Sequence, residues 1–182
     1  MGAHMEIDFS EICYLKNPSS NTLKADYRQF LLSLYGPTVI DITNKESNDW
    51  YVITTLLHGN EPSGFIALHQ WLSQEAKQCH INFRFIICSV EAANSTPLFT
   101  KRFLNGGLDI NRCFNHEETS GYYLRANIIE HAIKAVNPKL VIDMHNTSGS
   151  SPAFCVSAHM DKQHLKLASF FCENLILSHI TL

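Results

Sequence analysis

WYVITTLL, at residues 50–57, is a continuous run of apolar and β-branched side chains. Such a run is expected for a strand that is covered on both faces of a sheet. The polar segment HGNE follows at residues 58–61, and Pro62 stands where the first turn of a helix would begin. Helical spacing of apolar residues continues from there to about residue 76. The sequence therefore predicts a buried strand, a short loop and a helix.

Outward from this unit, strands and helices are predicted to alternate along the chain. Apolar runs predict strands at residues 38–42, 81–90, 140–144, 153–158 and 175–182, and helical spacing predicts helices at 24–35, 120–136 and 161–173. An irregular segment is predicted at 91–118. This alternation indicates an α/β fold, which we expect to be a three-layer sandwich with a mostly parallel or mixed sheet.

Composition and charge narrow the possible classes of function. The chain has 182 residues, 45% of them hydrophobic, which is enough for one sizeable domain with its own core. The formal net charge is -3 and no basic run occurs, so no nucleic-acid partner is expected. No apolar run reaches the length of about 18 residues that a membrane-spanning helix needs, so no membrane partner is expected either.

Residues 1–5, MGAHM, lack the pattern of a signal peptide and are interpreted as remnants of an expression vector. The six cysteines form no CxxC pair and no regular spacing. We therefore expect reduced thiols and a cytoplasmic location, and no zinc site built from thiolates.

Two histidines and a glutamate form a candidate metal site. His58 follows the strand at 50–57 and His145 follows the strand at 140–144, and sites in parallel sheets gather where strands end. Glu61 lies three residues after His58, and Gly59 would allow the chain to turn sharply between them. Two His and one Glu, with a fourth position open for water, are a common catalytic zinc set. Histidines after strands are also frequent without a metal, so the residues alone leave both interpretations open.

Three segments, in this order, carry a family resemblance. They are HGNEPSG at 58–64, GLDINRCF at 107–114 and IDMHNTSG at 142–149. Together they resemble the zinc carboxypeptidase superfamily, in its succinylglutamate desuccinylase and aspartoacylase branch. The resemblance implies a zinc carboxypeptidase-like fold and one Zn²⁺ ion held by His58, Glu61 and His145.

The resemblance also implies substrate-binding residues. Asn111 and Arg112 match the pair that binds substrate in this branch, and Arg102 lies upstream, where the family often has a further arginine. A guanidinium suits two-point binding of a carboxylate. Two structural alternatives stay open: Arg102 as a solvated loop residue, and Arg112 as the ion-pair partner of Asp109. Asp143, two residues before His145, is expected to position a ligand, although strand alternation could point it away from the metal.

The expected function is zinc-dependent hydrolysis, by metal-activated water, of an amide bond in a small carboxylate-bearing substrate of the N-acyl amino acid type. The alternatives are a metallocarboxypeptidase that acts on peptide C-termini and a zinc-binding domain without catalysis. The resemblance also implies a general-base glutamate well downstream of His145, but the acidic residues found there, Asp161 and Glu173, fall in a predicted helix. We therefore expect residues 6–182 to be an incomplete catalytic domain, with the glutamate beyond Leu182. An exposed sheet edge at that point would favour homo-oligomers.

Overall fold

Five strands of the computed structural model, which describes residues 7–104, 107–147, 149–159 and 161–178, form one mixed sheet. In chain order they are β1 (Cys13–Lys16), β2 (Thr38–Ile42), β3 (Trp50–Thr55), β4 (Asn82–Ile87) and β5 (Leu140–Met144). Their spatial order is β1-β2-β4-β3-β5, and only the β2–β4 pair is antiparallel. The prediction of a mostly parallel or mixed sheet is confirmed.

The five-stranded sheet belongs to the first of two compact units, which ends at Asn146. The helices of this unit are α1 (Ser20–Leu23), α2 (Tyr27–Leu32), α3 (Ser63–Gln74), α4 (Val90–Ala93) and α5 (Gly121–Lys134), with 3₁₀ turns at Ala76–Gln78 and Ile110–Arg112. The helix predicted over 24–35 is present but shorter, because α2 begins only after Lys24, whose φ of 64° is outside the helical region, and ends at Leu32. Asp26 then caps α2 by accepting hydrogen bonds from two backbone N–H groups. Within the described ranges, no helix has the length and apolarity that a membrane crossing requires.

Apolar cores on the two faces of the sheet make this unit a three-layer sandwich. Side chains alternate between faces along each strand, so Ile40 and Phe85 pack with α2 and α3, whereas Val39 and Ile86 pack with α5. The helices contribute Phe30, Leu31, Phe65, Leu68 and Leu72 to the first core and Ala126, Ile129 and Ala132 to the second. The fold class predicted from the sequence is confirmed.

Residues 147–182 form a second compact unit. Its described part contains β6 (Phe154–Ser157), α6 (Lys162–Ala168) and β7 (Asn174–Leu177), and β6 pairs with β7 in parallel. Asp161 caps α6 through hydrogen bonds from the N–H groups of Gln163 and His164. The prediction that places Glu173 in a helix is wrong, because α6 ends at Ala168. Residues 179–182 of the predicted last strand lie outside the described residues.

The strand predictions differ from the structure mainly at their ends. The strands at 38–42 and 140–144 have the predicted bounds, but β3 ends at Thr55 and β4 at Ile87, before the apolar runs end. The remaining apolar residues of these runs turn into the core: Leu56 and Val90 are both fully buried. β1 has no counterpart among the predictions, because its four residues, CYLK, alternate between half-buried and exposed and form no apolar run.

Candidate metal centre

The two histidines meet because β3 and β5 are neighbouring parallel strands. Thr55 at the end of β3 lies opposite Met144 at the end of β5, so the chain leaves both strands at the same edge of the sheet. His145 is the first residue after β5, and His58 is the third after β3. The topology therefore brings together two side chains that lie 87 residues apart in the sequence.

The loop after β3 is held by its backbone against the segment that follows β4. Leu56 has a φ of 51°, the left-handed region that branched side chains rarely adopt, and it is fully buried. The N–H of Ser89 donates to the carbonyl of Leu56, and the Ser89 hydroxyl donates to the carbonyl of Leu57. These contacts fix the direction in which the chain enters the HGNE segment.

Gly59 is required for a different reason from the predicted one. Its φ does not lie in the left-handed region, so the turn itself does not require glycine. A Cβ at this position would lie 2.6 Å from the backbone nitrogen of Ala93 and 2.7 Å from the Cβ of Ala92. The loop therefore needs a glycine because it passes directly against α4.

The candidate ligand atoms of His58, Glu61 and His145 all lie within 4.8 Å of one another. Nδ1 of His58 is 3.0 Å from Oε1 of Glu61, and Nδ1 of His145 is 2.8 Å from Oε2 of the same carboxylate. His58 and Glu61 are buried, whereas the His145 side chain is 32% exposed. The cluster is therefore buried at His58 and Glu61 and partly open to solvent at His145.

The donor set fits a zinc ion. Nδ1 of His58 is buried and makes no hydrogen bond with any described residue, although an orphaned buried polar atom normally costs about 1–3 kcal/mol. Bonds of about 2.0–2.2 Å to a tetrahedral zinc place its ligand atoms roughly 3.3 Å apart, close to the two distances from Glu61. A metal ion between these atoms would give the lone pair of His58 a partner.

Asp109 orients His58. Its Oδ1 lies 2.8 Å from Nε2 of His58, and a carboxylate can only accept, so Nε2 carries a proton. In the neutral imidazole, the form that binds a metal, the lone pair is then on Nδ1. Partial burial acts to raise the pKa of Asp109, but the hydrogen bond and charge of His58, with the Asn111 amide and the Arg102 charge, outweigh it and lower this pKa. A ligand histidine held by a carboxylate is typical of zinc sites.

Asp143 orients His145 in the same way. Oδ2 of Asp143 lies 2.6 Å from Nε2 of His145, so the strand directs this carboxylate to the ligand and not away from it. The hydrogen bond with Asp143 raises the pKa of His145 to about 9, against the opposing effect of partial burial, and the charge of Asp143 and the contact with Glu61 add to the increase. Without a metal both ring nitrogens therefore carry protons, and metal binding would displace the one on Nδ1.

Arg102 lies at the cluster. Its Nη1 donates to Oε1 of Glu61 at 2.8 Å, and its Nη2 lies 3.6 Å from Asp109. Nη2 also approaches Nε2 of His58 to 3.0 Å, but both atoms carry protons in this tautomer, so this contact is not a hydrogen bond. The side chain is 42% exposed and can therefore reach both the cluster and solvent. Arg102 is not a purely solvated loop residue.

Asn111 and Arg112 lie on the 3₁₀ turn that begins after Asp109. The turn is held by Ile110, which is 3% exposed, and by the N–H of Asn111, which donates to Oδ1 of Asp109. Both side chains are exposed, and among the described residues the guanidinium of Arg112 forms no ion pair or hydrogen bond. The alternative in which Arg112 pairs with Asp109 is wrong, because that carboxylate contacts His58 and Arg102.

Asn146, the residue after His145, supports the cluster through hydrogen bonds from its backbone and its side chain. The backbone N–H of Asn146 donates to Oε2 of Glu61 at 3.1 Å, and its side-chain amide donates to the Ser63 hydroxyl at 2.8 Å. Asn146 thereby joins the end of β5 to the first turn of α3. Thr147 belongs to the second unit, and Ser148 lies outside the described residues.

Sequence reasoning missed the partnership of Asp109 with His58. The available signal was the position of Asp109 on a polar loop between two predicted elements, but a loop carboxylate has several basic neighbours in the sequence. Only the fold shows that His58, 51 residues earlier, is its nearest partner. Thr54, which contacts Asp143, was missed because it lies in the middle of an apolar run.

One family model matches this chain. The model of the succinylglutamate desuccinylase/aspartoacylase catalytic domain matches residues 50–180, which include β3, the whole cluster and the Asn111–Arg112 pair. No curated protein and no solved structure matches the chain. The match covers well over half of the sequence and the same three segments on which the resemblance rests.

Proposed function

Because the chain belongs to the succinylglutamate desuccinylase/aspartoacylase family of catalytic domains, we propose that it is a zinc-dependent hydrolase of N-acyl amino acids or similar small amides that bear a carboxylate. The observation that carries the proposal is Nδ1 of His58, a buried nitrogen beside Glu61 and His145 that forms no hydrogen bond within the described part of the chain. A structural histidine would have this nitrogen paired.

His58, Glu61 and His145 would hold the ion. When bound, zinc supplies Lewis-acid chemistry, since it acidifies water and polarises a carbonyl group. Asp109 and Asp143 keep the two imidazoles in the tautomer that presents Nδ1. Three carboxylates, on Glu61, Asp109 and Asp143, contact the two histidines, whereas among the described residues Arg102 is the guanidinium that contacts the cluster. The carboxylates give the site negative charge that favours a divalent cation.

Two arginines with different surroundings support the proposed substrate class. Arg112 is exposed and without a partner among the described residues, which leaves its planar fork free to bind a substrate carboxylate. Asn111 beside it adds a neutral hydrogen-bonding group. Arg102 contacts Glu61 directly, so its remaining N–H groups lie where they can donate to the acyl carbonyl oxygen. Together these groups favour an amide whose carboxylate lies a short distance from the scissile bond.

A zinc-binding domain without catalysis is the second candidate, and one observation favours it. In the described part of the first unit, the carboxylates at the cluster are Glu61, Asp109 and Asp143, and each contacts a histidine. None of these three is free to act as a general base on water. The hydrolytic proposal therefore requires a further carboxylate, which we expect downstream of His145.

The test compares matched substrates on the natural full-length protein. Each N-acyl amino acid is assayed beside its carboxamide analogue, and short peptides with free C-termini are assayed in parallel. We expect zinc-dependent release of the amino acid only when the carboxylate is present, loss after chelation and recovery on adding zinc. Faster cleavage of the peptides would indicate a carboxypeptidase. Stoichiometric zinc without turnover on any substrate would leave the non-catalytic candidate.

A further inference from the structure

A chain of two short hydrogen bonds leads from the interior of β3 to His145. The hydroxyl of Thr54 donates to Oδ1 of Asp143 at 2.6 Å, and Oδ2 of Asp143 accepts from Nε2 of His145, also at 2.6 Å. Thr54 and Asp143 lie opposite each other in the parallel pairing of β3 with β5. Both oxygens of the carboxylate are thus engaged, one by the sheet and one by the candidate ligand.

We propose that Thr54 is a positioning residue of the metal centre, which locks the Asp143 carboxylate so that His145 presents Nδ1 to the ion. The inference deepens the proposed function and rests on its metal site. Thr54 has no contact with the cluster atoms of the site in its own right; it acts only through Asp143.

The Asp143 carboxylate needs a buried partner because both Asp143 and His145 are partly exposed to solvent. Asp143 is 36% exposed and His145 is 32% exposed, and the carboxylate torsion of aspartate is broad. Solvent would therefore compete for both oxygens of Asp143. Thr54 is only 4% exposed, and its branched side chain has few rotamers inside a strand. A rigid buried hydroxyl can hold one oxygen and leave the other directed at His145.

Among the described residues, Asp143 is the best acceptor for the Thr54 hydroxyl. Its other contact is the carbonyl of Ile142 at 3.5 Å, which is too long to compete with the 2.6 Å bond to Asp143. The single proton of Thr54 is therefore committed to the carboxylate. Removing it would leave the Asp143 oxygen to water and free the carboxylate to rotate.

Thr55 provides a matched control. It is the next residue of β3, is 1% exposed, and faces the opposite side of the sheet. Its Oγ1 is buried and has no hydrogen-bond partner in the ranges that the structure describes. Thr54→Val and Thr55→Val both exchange a hydroxyl for a methyl group. The first removes the hydrogen bond to Asp143, and the second leaves that bond in place.

The experiment measures zinc affinity of the full chain by competition with a chromogenic chelator. Loss of a group that hydrogen-bonds to a metal ligand typically lowers metal affinity about 10- to 100-fold. We therefore expect zinc affinity to fall about 10-fold in Asp143→Asn and about 3- to 10-fold in Thr54→Val. Thr54→Ser keeps the hydroxyl and should restore affinity to within about twofold of the unchanged chain, and Thr55→Val should stay in the same range. The visible spectrum of the Co²⁺-loaded protein should change in Thr54→Val and return in Thr54→Ser.

Equal zinc affinity and equal Co²⁺ spectra for Thr54→Val and the unchanged chain would overturn the inference, as would an equal loss in Thr55→Val. If Thr54→Val does not fold, Thr54→Ala removes the same hydroxyl without adding bulk and gives the same comparison. These readouts are independent of turnover. A chain that binds zinc but hydrolyses nothing would contradict the proposed function and leave this inference intact, whereas a chain that binds no zinc would contradict both.

Discussion

Oδ1 of Asp109 lies 2.8 Å from Nε2 of His58, and this contact joins the loop after β3 to the turn that carries Asn111 and Arg112. The candidate metal ligand and the candidate substrate-binding pair are therefore held by one carboxylate. Displacing Asp109 should disturb both functions of the site, because the same oxygen also accepts the N–H of Asn111.

Asp109→Asn should weaken zinc binding about 10- to 100-fold, because an amide holds the His58 tautomer less firmly than a carboxylate does. Competition with a chelator measures the effect. Asp49→Asn is the control, since Asp49 forms an exposed ion pair with Lys139. An Asp109→Asn protein that binds zinc as tightly as the control would show that this contact does not orient His58.

Gly59→Ala should lower the free energy of unfolding by about 1–3 kcal/mol and also weaken zinc binding, because the added Cβ forces the loop away from α4. The clash distance of 2.6 Å is to backbone, which cannot move as a flexible side chain can. Urea unfolding measures the change. Gly36→Ala is the control, because its new Cβ would meet its nearest atom at an ordinary 3.5 Å. Equal stability of the two variants would contradict the packing argument.

The sequence predicts the layers of the fold better than it predicts the partners within the site. Apolar runs such as 50–57 and 140–144 reveal strands, because consecutive apolar and β-branched side chains favour a sheet. The burial of these strands differs, since β5 alternates between half-buried and exposed residues. Ordered motifs predict His58, Glu61 and His145 as one group, and the structure brings the three side chains together.

What the sequence does not reveal depends on distances between loops. Asp109 could pair with Arg112, Arg102 or His58, and only the fold selects His58 and Arg102. The sequence does not indicate the role of Thr54, because threonine is common in strands and its role depends on which residue of β5 lies opposite. The helix predicted over 24–35 begins later in the structure because Lys24 has a left-handed φ, which no side-chain pattern indicates.

Arg112→Gln should raise the KM for a carboxylate-bearing substrate about 10- to 100-fold, since a hydrogen-bonded charge pair contributes about 1.5–3 kcal/mol. Zinc content and thermal stability should not change, because Arg112 is exposed and has no partner within the described ranges. Steady-state kinetics with the full-length protein measure KM. Arg28→Gln, at another exposed arginine, is the control. A KM that matches this control would remove Arg112 from the substrate site.

Cys88 should make stability fall at alkaline pH. Burial raises the pKa of this thiol well above its ordinary value of 9.0, so above about pH 9 the unfolded chain releases a proton that the folded chain keeps. The stabilisation is fully present below that pH and is lost above it, by up to about 1.4 kcal/mol per pH unit. Urea unfolding of the unchanged chain and of Cys88→Ala between pH 8 and 10.5 should show the advantage of cysteine shrinking with pH. If the difference in the free energy of unfolding between the two proteins does not change with pH, the raised pKa of the buried thiol is contradicted.

Zinc content per chain is the most direct test of the metal centre formed by His58, Glu61 and His145. The full chain, His58→Ala and the exposed-helix control His131→Ala are loaded with zinc, dialysed and measured by plasma mass spectrometry. We expect one zinc per chain in the unchanged protein and in His131→Ala, and close to none in His58→Ala. One zinc retained by His58→Ala, or none in the unchanged protein, would contradict the metal centre itself.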